Sequence, residues 1–319
     1  MYSPPWFLFN KHVETIYPSL FRSVKRIDYQ HERISTTDHD FLDLFWLNQQ
    51  SNQVVIISHG LEGNAHRAYI KGMAKVFHDN AFDVLAWNYR GCGEEMNKAL
   101  SFYHSGATDD LDHVVNHAIA QGYEKVFLVG FSLGGNLTLK YVGERNVSQT
   151  IKGVVTFSVP LDLYTSCLQL SKPSNWIYSR RFLKSLKNKI RAKAKLMSGL
   201  NIAMLEKITS LEQFDDYYTG PIHGFENALD YYQRCSAIGF LETIVTPTLI
   251  VNAQNDPFLS KECFPTEINN SFVQFETPSR GGHVGFSQFK RNGLYWSEER
   301  ALDFIQSCSP ATTRSNLKS

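Results

Sequence analysis

Apolar and polar residues change rhythm several times along the chain. "FLDLFWL" (41–47) alternates in the manner of a strand, with "KRIDYQHERI" (25–34) as its expected partner. Short β-branched or aromatic runs follow: "VVIIS" (54–58), "FDVLAW" (82–87), "VFLV" (126–129), "GVVTF" (153–157), "PTLIVNA" (247–253) and "FVQFE" (272–276). Helical spacing separates several of them, as in "YIKGMAKVFHDN" and "TDDLDHVVNHAIAQG". Strands alternating with helices imply crossovers over a largely parallel sheet covered on both faces, an α/β architecture. The alternation breaks between about residues 160 and 235, where the pattern is strongly helical. So long a segment cannot be a bare loop in a compact domain, and it reads as a helical cap inserted into one domain spanning 1–319.

"VFLVGFSLGGNL" (126–137) joins an expected buried strand to an expected helix through Gly130-Phe131-Ser132-Leu133-Gly134. This is G-x-S-x-G in strand–turn–helix context, where a sharp turn exposes the serine hydroxyl. Serine needs a base, and the base needs an orienting group. Of the eleven histidines, His283 lies in the glycine-flanked "SRGGHVGF" after the last expected strand, whereas His59 in "SHGLEG" is expected to shape a turn. Asp256 in "VNAQNDPF" falls just past the carboxyl end of the 247–253 strand, where such sheets bind ligands. Asp162 in "SVPLDL" competes for the same role from the neighbouring strand, with Asp256 preferred. The order Ser132, Asp256, His283 is that of α/β-hydrolases. The backbone N–H groups of Leu133, at the helix start, and of Leu61, in "SHGLEGN", are the expected oxyanion donors.

Composition narrows the classes. At 43% apolar and 20% charged the chain has material for a sizeable core, and a net charge of +1 argues against wholesale nucleic-acid binding. Five scattered cysteines without CxxC spacing suit a reducing compartment. With no signal-peptide pattern and no long apolar run, a cytoplasmic location is expected. No metal-ligand cluster stands out, and no cofactor is expected.

The stretches "HGLEGN" (59–64), "NYRGCG" (88–93), "YHSGATDDL" (103–111), "GFSLGGN" (130–136), "FDDYYT" (214–219), "YYQRCSA" (231–237), "NDPF" (255–258) and "GGHVGF" (281–286) together resemble the YheT-like branch of the α/β-hydrolases. "HVETIYPSLFR" resembles that family's opening segment, and the likeness runs from about residue 10 to 306. "GATDDL" departs mildly, carrying Ala107 where bacterial members often have glutamate. The resemblance implies a serine hydrolase with a helical cap acting on carboxylic esters, including short-chain esters and monoacylglycerols. It implies acyl transfer to an alcohol as an alternative outcome. Arg90, His104 and Asp109 match the family pattern, with loop-bracing roles expected. A non-catalytic binding module on the same scaffold is the remaining class of answer.

One charged stretch belongs to the expected cap. "RRFLKSLKNKIRAKAKLM" (180–197) carries Arg180, Arg181, Lys184, Lys187, Lys189, Arg191, Lys193 and Lys195 with no acidic residue. Leu183, Leu186, Ile190 and Met197 recur at helical spacing, so an apolar face on the cleft and a solvated basic face are expected. A sharper reading has this helix make weak peripheral contact with anionic membrane surfaces.

Overall fold

Runs that lack alternation prove to be strands covered on both sides. A computed structural model describes residues 2–198, 200–290 and 293–309. Eight strands are formed: β1 Gln30–Ser35, β2 Phe41–Leu47, β3 Gln53–Ser58, β4 Asp83–Asn88, β5 Lys125–Phe131, β6 Ile151–Phe157, β7 Thr248–Val251 and β8 Val273–Glu276. They build one sheet in the order β1-β2-β4-β3-β5-β6-β7-β8. The β1–β2 and β2–β4 pairs are antiparallel, and all pairs from β4 through β8 are parallel.

The period-two geometry of a strand sorts neighbouring side chains to opposite faces. Val54, Ile56, Leu85, Trp87, Val126 and Leu128 join one core, packed with Leu111 and Val114 of α3 (Thr108–Ala120) and Leu137 and Tyr141 of α4 (Leu133–Glu144). Val55, Ile57, Val84, Ala86, Phe127 and Val129 join the other, with Ile70, Met73 and Phe77 of α2 (Ala68–His78) and Ala301 and Ile305 of α10 (Trp296–Cys308). Both faces are dry, which is why β3, β4 and β5 read as continuous apolar runs.

The antiparallel edge differs from the expected span. Strand structure begins at Gln30 rather than residue 25, because β2 supplies partners only from Phe41 to Leu47 and Gln30 already pairs with Trp46 near its end. Before β1 lies α1 (Lys11–Phe21), capped by the Asn10 side chain, which accepts from the His12 and Val13 N–H groups.

Between β6 and β7 the chain forms α5 (Leu163–Leu170), α6 (Trp176–Ala194), α7 (Leu211–Phe214), a π-helical turn at Asp215–Thr219, α8 (Gly220–Ile222) and α9 (Ala228–Cys235). These helices bury their own apolar clusters. One joins Leu163, Leu211, Tyr231 and Tyr232, and another joins Ile190, Leu205, Ile208 and Phe214 with Phe102.

The basic helix requires a correction. Leu183, Leu186 and Ile190 face inward, but Met197 lies beyond the last helical residue, Ala194. Lys193 is fully buried and Lys189 nearly so, hence two of the eight cations leave the solvated face. Lys193 Nζ donates to Asn97 Oδ1 at 2.7 Å and to the Ser101 carbonyl at 3.1 Å. Burial pulls its ammonium down to about 8. Arg191 is paired with Glu206 at 2.5 Å, which lies outside the stretch considered as a charge run. Among the described residues no helix is long and apolar enough to cross a membrane.

Candidate active site

The chain leaves β5 and enters α4 through Ser132, whose backbone sits at φ 53°, ψ −118°. A non-glycine residue at positive φ is strained, and such strain clusters at functional turns. Two glycines make the turn sterically feasible. A Cβ on Gly130 would lie 2.5 Å from the Gly134 carbonyl, and one on Gly134 would lie 2.4 Å from the His59 carbonyl and 2.5 Å from that of Ser58. The Ser132 N–H donates to the Phe157 carbonyl of β6 at 2.9 Å, tying the turn to the next strand.

The structure brings Ser132, His283 and Asp256 into one hydrogen-bonded row. Ser132 Oγ stands 2.9 Å from His283 Nε2, and His283 Nδ1 lies 2.9 and 3.1 Å from the two Asp256 carboxylate oxygens. Since a carboxylate only accepts, Nδ1 carries the proton and Nε2 is left free to accept from the serine. The Phe258 N–H donates to Asp256 Oδ1 at 2.8 Å, and the Phe258 ring stacks on the imidazole with centroids 4.0 Å apart. Asp162 is elsewhere. Its side chain caps α5, accepting from the Thr165 N–H at 2.8 Å and the Thr165 hydroxyl at 2.6 Å.

The loop carrying His283 is held from the opposite end of the chain. Buried Glu14 of α1 accepts from the Gly281 N–H at 2.7 Å, from Arg280 Nε at 2.7 Å and from Asn255 Nδ2 at 3.0 Å. Thr15 Oγ1 accepts from the His283 N–H at 2.9 Å. Neither Glu14 nor Thr15 was singled out from sequence, since nothing local to α1 signals a contact with residues so distant.

His59 is completely buried. Its Nδ1 donates to the Gly60 carbonyl at 2.8 Å, and its Nε2 accepts from the Tyr89 N–H at 3.3 Å. Burial pushes this imidazole down to about 3, so it is neutral. Leu61 follows in a turn closed by the Gly63 N–H on the Gly60 carbonyl at 3.0 Å. Leu61, Ser132 and Leu133 line one cavity of about 120 Å³, walled by Leu163, Leu170, Phe182, Leu186, Leu211 and Phe258. Asp215 also lines it, with Tyr232 Oη donating to its carboxyl group at 2.6 Å and Thr219 Oγ1 at 2.5 Å. Burial pushes Asp215 up to about 6, against the lowering effect of those two hydroxyls.

The bracing residues divide. Arg90 Nε lies 2.9 and 3.1 Å from the two Asp110 oxygens, and its Nη1 reaches Asp38 at 2.5 Å and Asp40 at 3.2 Å. Its partner on α3 is thus Asp110, while exposed Asp109 pairs with Arg145. His104 is held neutral by burial, with its ring 4.5 Å from that of His223.

A family described as serine aminopeptidase, S33 (Hydrolase_4) matches residues 49–263. The chain belongs to this family. Within it, this hydrolase is 31% identical to YheT of Escherichia coli (strain K12), named as an esterase, over 93% of its own length and 90% of the relative's. It is 28% identical to a monoacylglycerol lipase of Saccharomyces cerevisiae over 85% of its length and 63% of the relative's. It is also 26% identical to the phospholipase ABHD3 of Homo sapiens, over 89% and 73%. The esterase Pf2001 of Pyrococcus furiosus has the same fold, with a TM-score of 0.58 at 16% identity, covering 90% of this chain and 98% of that one. The expected YheT-like resemblance and α/β-hydrolase fold are both borne out.

Proposed function

We propose that this α/β-hydrolase cleaves carboxylic esters through an acyl-enzyme on Ser132. The observation that carries this reading is the row Ser132–His283–Asp256 opening onto a largely apolar cavity. In the first half-reaction Ser132 Oγ attacks the ester carbonyl while His283 Nε2 takes the hydroxyl proton. Asp256 holds the imidazole tautomer and stabilises the imidazolium. The Leu61 and Leu133 N–H groups, at the turn after β3 and at the start of α4, stabilise the oxyanion. His283 returns its proton to the leaving alcohol, and water then repeats the sequence on the acyl-enzyme. No metal ion or organic cofactor is needed for these steps.

The leucine and phenylalanine walls suit an aliphatic acyl chain. The relatives named as esterase, monoacylglycerol lipase and phospholipase support esters over peptides. The family description names a peptidase, but the cavity carboxyl at Asp215 already accepts from two internal hydroxyls, Thr219 Oγ1 and Tyr232 Oη, which makes it a poor anchor for an amine terminus. Hydrolysis of p-nitrophenyl and monoacylglycerol esters across a series of acyl lengths tests the reading, with Ser132→Ala expected to lower kcat by about 10⁶. An alanine variant retaining a tenth of wild-type turnover refutes it. An added alcohol acceptor in the same assay measures acyl transfer against hydrolysis.

Contact with an anionic lipid surface is the finer part of the proposal. Exposed Trp176 and Ile177 precede exposed Arg180, Arg181 and Lys184 on α6. Charge reversal at those three cations is expected to abolish co-sedimentation with anionic vesicles, and equal binding to neutral vesicles refutes the contact.

A further inference from the structure

Glu62 follows the proposed oxyanion donor Leu61 and occupies the third position of the Gly60–Gly63 turn with φ 54°. Turns of this kind favour glycine or asparagine there, because a side chain at positive φ costs about 1–2 kcal/mol. Glu62 holds that strained conformation with its side chain fully engaged.

That side chain leaves the sheet and enters the helical segment above it. Lys189 Nζ of α6 donates to Glu62 Oε1 at 2.6 Å, and the Ser185 hydroxyl of the same helix donates to Glu62 Oε2. Both members of the ion pair are 10% exposed. The Tyr103 hydroxyl donates to Glu62 Oε1 at 2.7 Å while accepting from the Glu62 N–H at 3.0 Å, so one phenol fixes side chain and backbone together. The ammonium also stands 4.7 Å from the Tyr103 ring centroid and donates to Cys92 Sγ at 3.2 Å. Burial pushes the Glu62 carboxyl up, yet Lys189, Ser185 and Tyr103 together hold it below the usual range. A charge this deep is tolerated only with its partner in place. The peptide unit joining Leu61 to Glu62 is therefore held through Tyr103, with the Glu62 side chain anchored on α6. The adjoining Gly60–Leu61 unit, which carries the Leu61 N–H, is held at its carbonyl by the Gly63 N–H and His59 Nδ1, so the Glu62 anchor fixes that N–H from its other side, and Leu61 itself lines the cavity with Ser132 and Leu133.

We infer that Glu62 is a positioning residue, anchored by Lys189 and Ser185, that sets the Leu61 N–H for the oxyanion and makes the oxyanion pocket complete only when α6 is seated. The inference rests on the ester-hydrolase reading of Ser132. It treats the ion pair as part of transition-state binding rather than as a support for stability alone.

The test is the double variant Glu62→Gly/Lys189→Met. Glycine removes the backbone strain at φ 54°, and methionine removes the unpaired buried charge that Glu62→Gly alone would leave. Steady-state hydrolysis of a short p-nitrophenyl ester gives kcat and KM, and inhibition by a trifluoromethyl ketone reports affinity for a tetrahedral oxyanion. Losing an oxyanion donor costs about 10²–10³ in kcat, so displacing one is expected to lower kcat by about 10–100-fold. Ketone affinity should weaken by the same factor, KM should change less than threefold, and Tm should exceed that of Lys189→Met. If the double variant matches wild type in kcat and ketone affinity, or loses KM alone, the pair serves the fold or the substrate and the inference fails. Should the double variant not fold, Ser185→Ala decides: a matched drop in kcat and ketone affinity supports the positioning role, and none refutes it. A wild-type protein that neither turns over the ester nor binds the ketone refutes the hydrolase reading first and this inference with it.

Discussion

Acid should destabilise this protein through His59 in particular. The imidazole is fully buried, uses both nitrogens within the protein and is pushed by burial from its ordinary 6.5 down to about 3. The unfolded chain regains the ordinary value, so between pH 6.5 and 3 the unfolded state binds a proton that the folded state refuses. The stabilisation is present above pH 6.5 and is lost as pH falls toward 3. With each pH unit of separation worth about 1.4 kcal/mol, His59 alone should remove about 2 kcal/mol of stability between pH 7 and pH 5. Urea unfolding of the wild type and of His59→Gln at both pH values isolates this contribution. His104 and His223 are depressed by burial in the same direction, and they titrate in both proteins. The variant is expected to be less stable at pH 7 but to lose about 2 kcal/mol less on acidification. Equal losses in the two proteins, within about 0.5 kcal/mol, would show that His59 is not held neutral and refute the argument.

Asp256→Asn should lower kcat by about 10⁴ through the wrong histidine tautomer, whereas Asp162→Asn, which keeps an acceptor at the helix cap, should change kcat less than threefold; reversed effects would move the orienting carboxylate to Asp162. Gly134→Ala places a methyl group against the Ser58 and His59 carbonyls, and a loss of about 3 kcal/mol together with loss of esterase activity is expected in denaturant melts and turnover assays. Asp215 is raised from its ordinary 3.8 to about 6, so the folded state binds its proton more tightly and stability should fall as pH rises through 4 to 6. Asp215→Asn should flatten that part of the Tm-against-pH curve, and an unchanged slope would contradict the assignment.

The central sheet was readable because strands buried on both faces leave apolar runs that neither loops nor amphipathic helices produce. Ser132 and its glycines were readable because their spacing meets a steric demand confined to five residues. Position favoured Asp256 over Asp162 but did not exclude Asp162, since both follow strand ends. What separates them is the Thr165 N–H and hydroxyl that occupy Asp162, a contact no periodicity encodes. Lys189 and Lys193 looked solvated because a charge run is ordinarily a wet face, and their partners Glu62 and Asn97 lie about a hundred residues earlier. Glu62 left one faint trace, a glutamate in "HGLEGN" where the turn favours glycine, but the sign of φ is invisible until the chain folds.

The clamp from α1 onto the His283 loop sets a timetable for manufacture. Glu14 and Thr15 grip Gly281 and His283 across separations of 267 and 268 residues. At ribosomal speeds of 5–20 residues per second, α1 waits roughly ten to fifty seconds for the loop it must hold. For the last 151 residues of that interval the nascent chain carries Ser132 but lacks the proton acceptor that would arm it. Synthesis thus yields an inert intermediate first. Joining early and late segments is a high-contact-order step, the slow kind, so competence should arrive late, when the two ends of the fold meet.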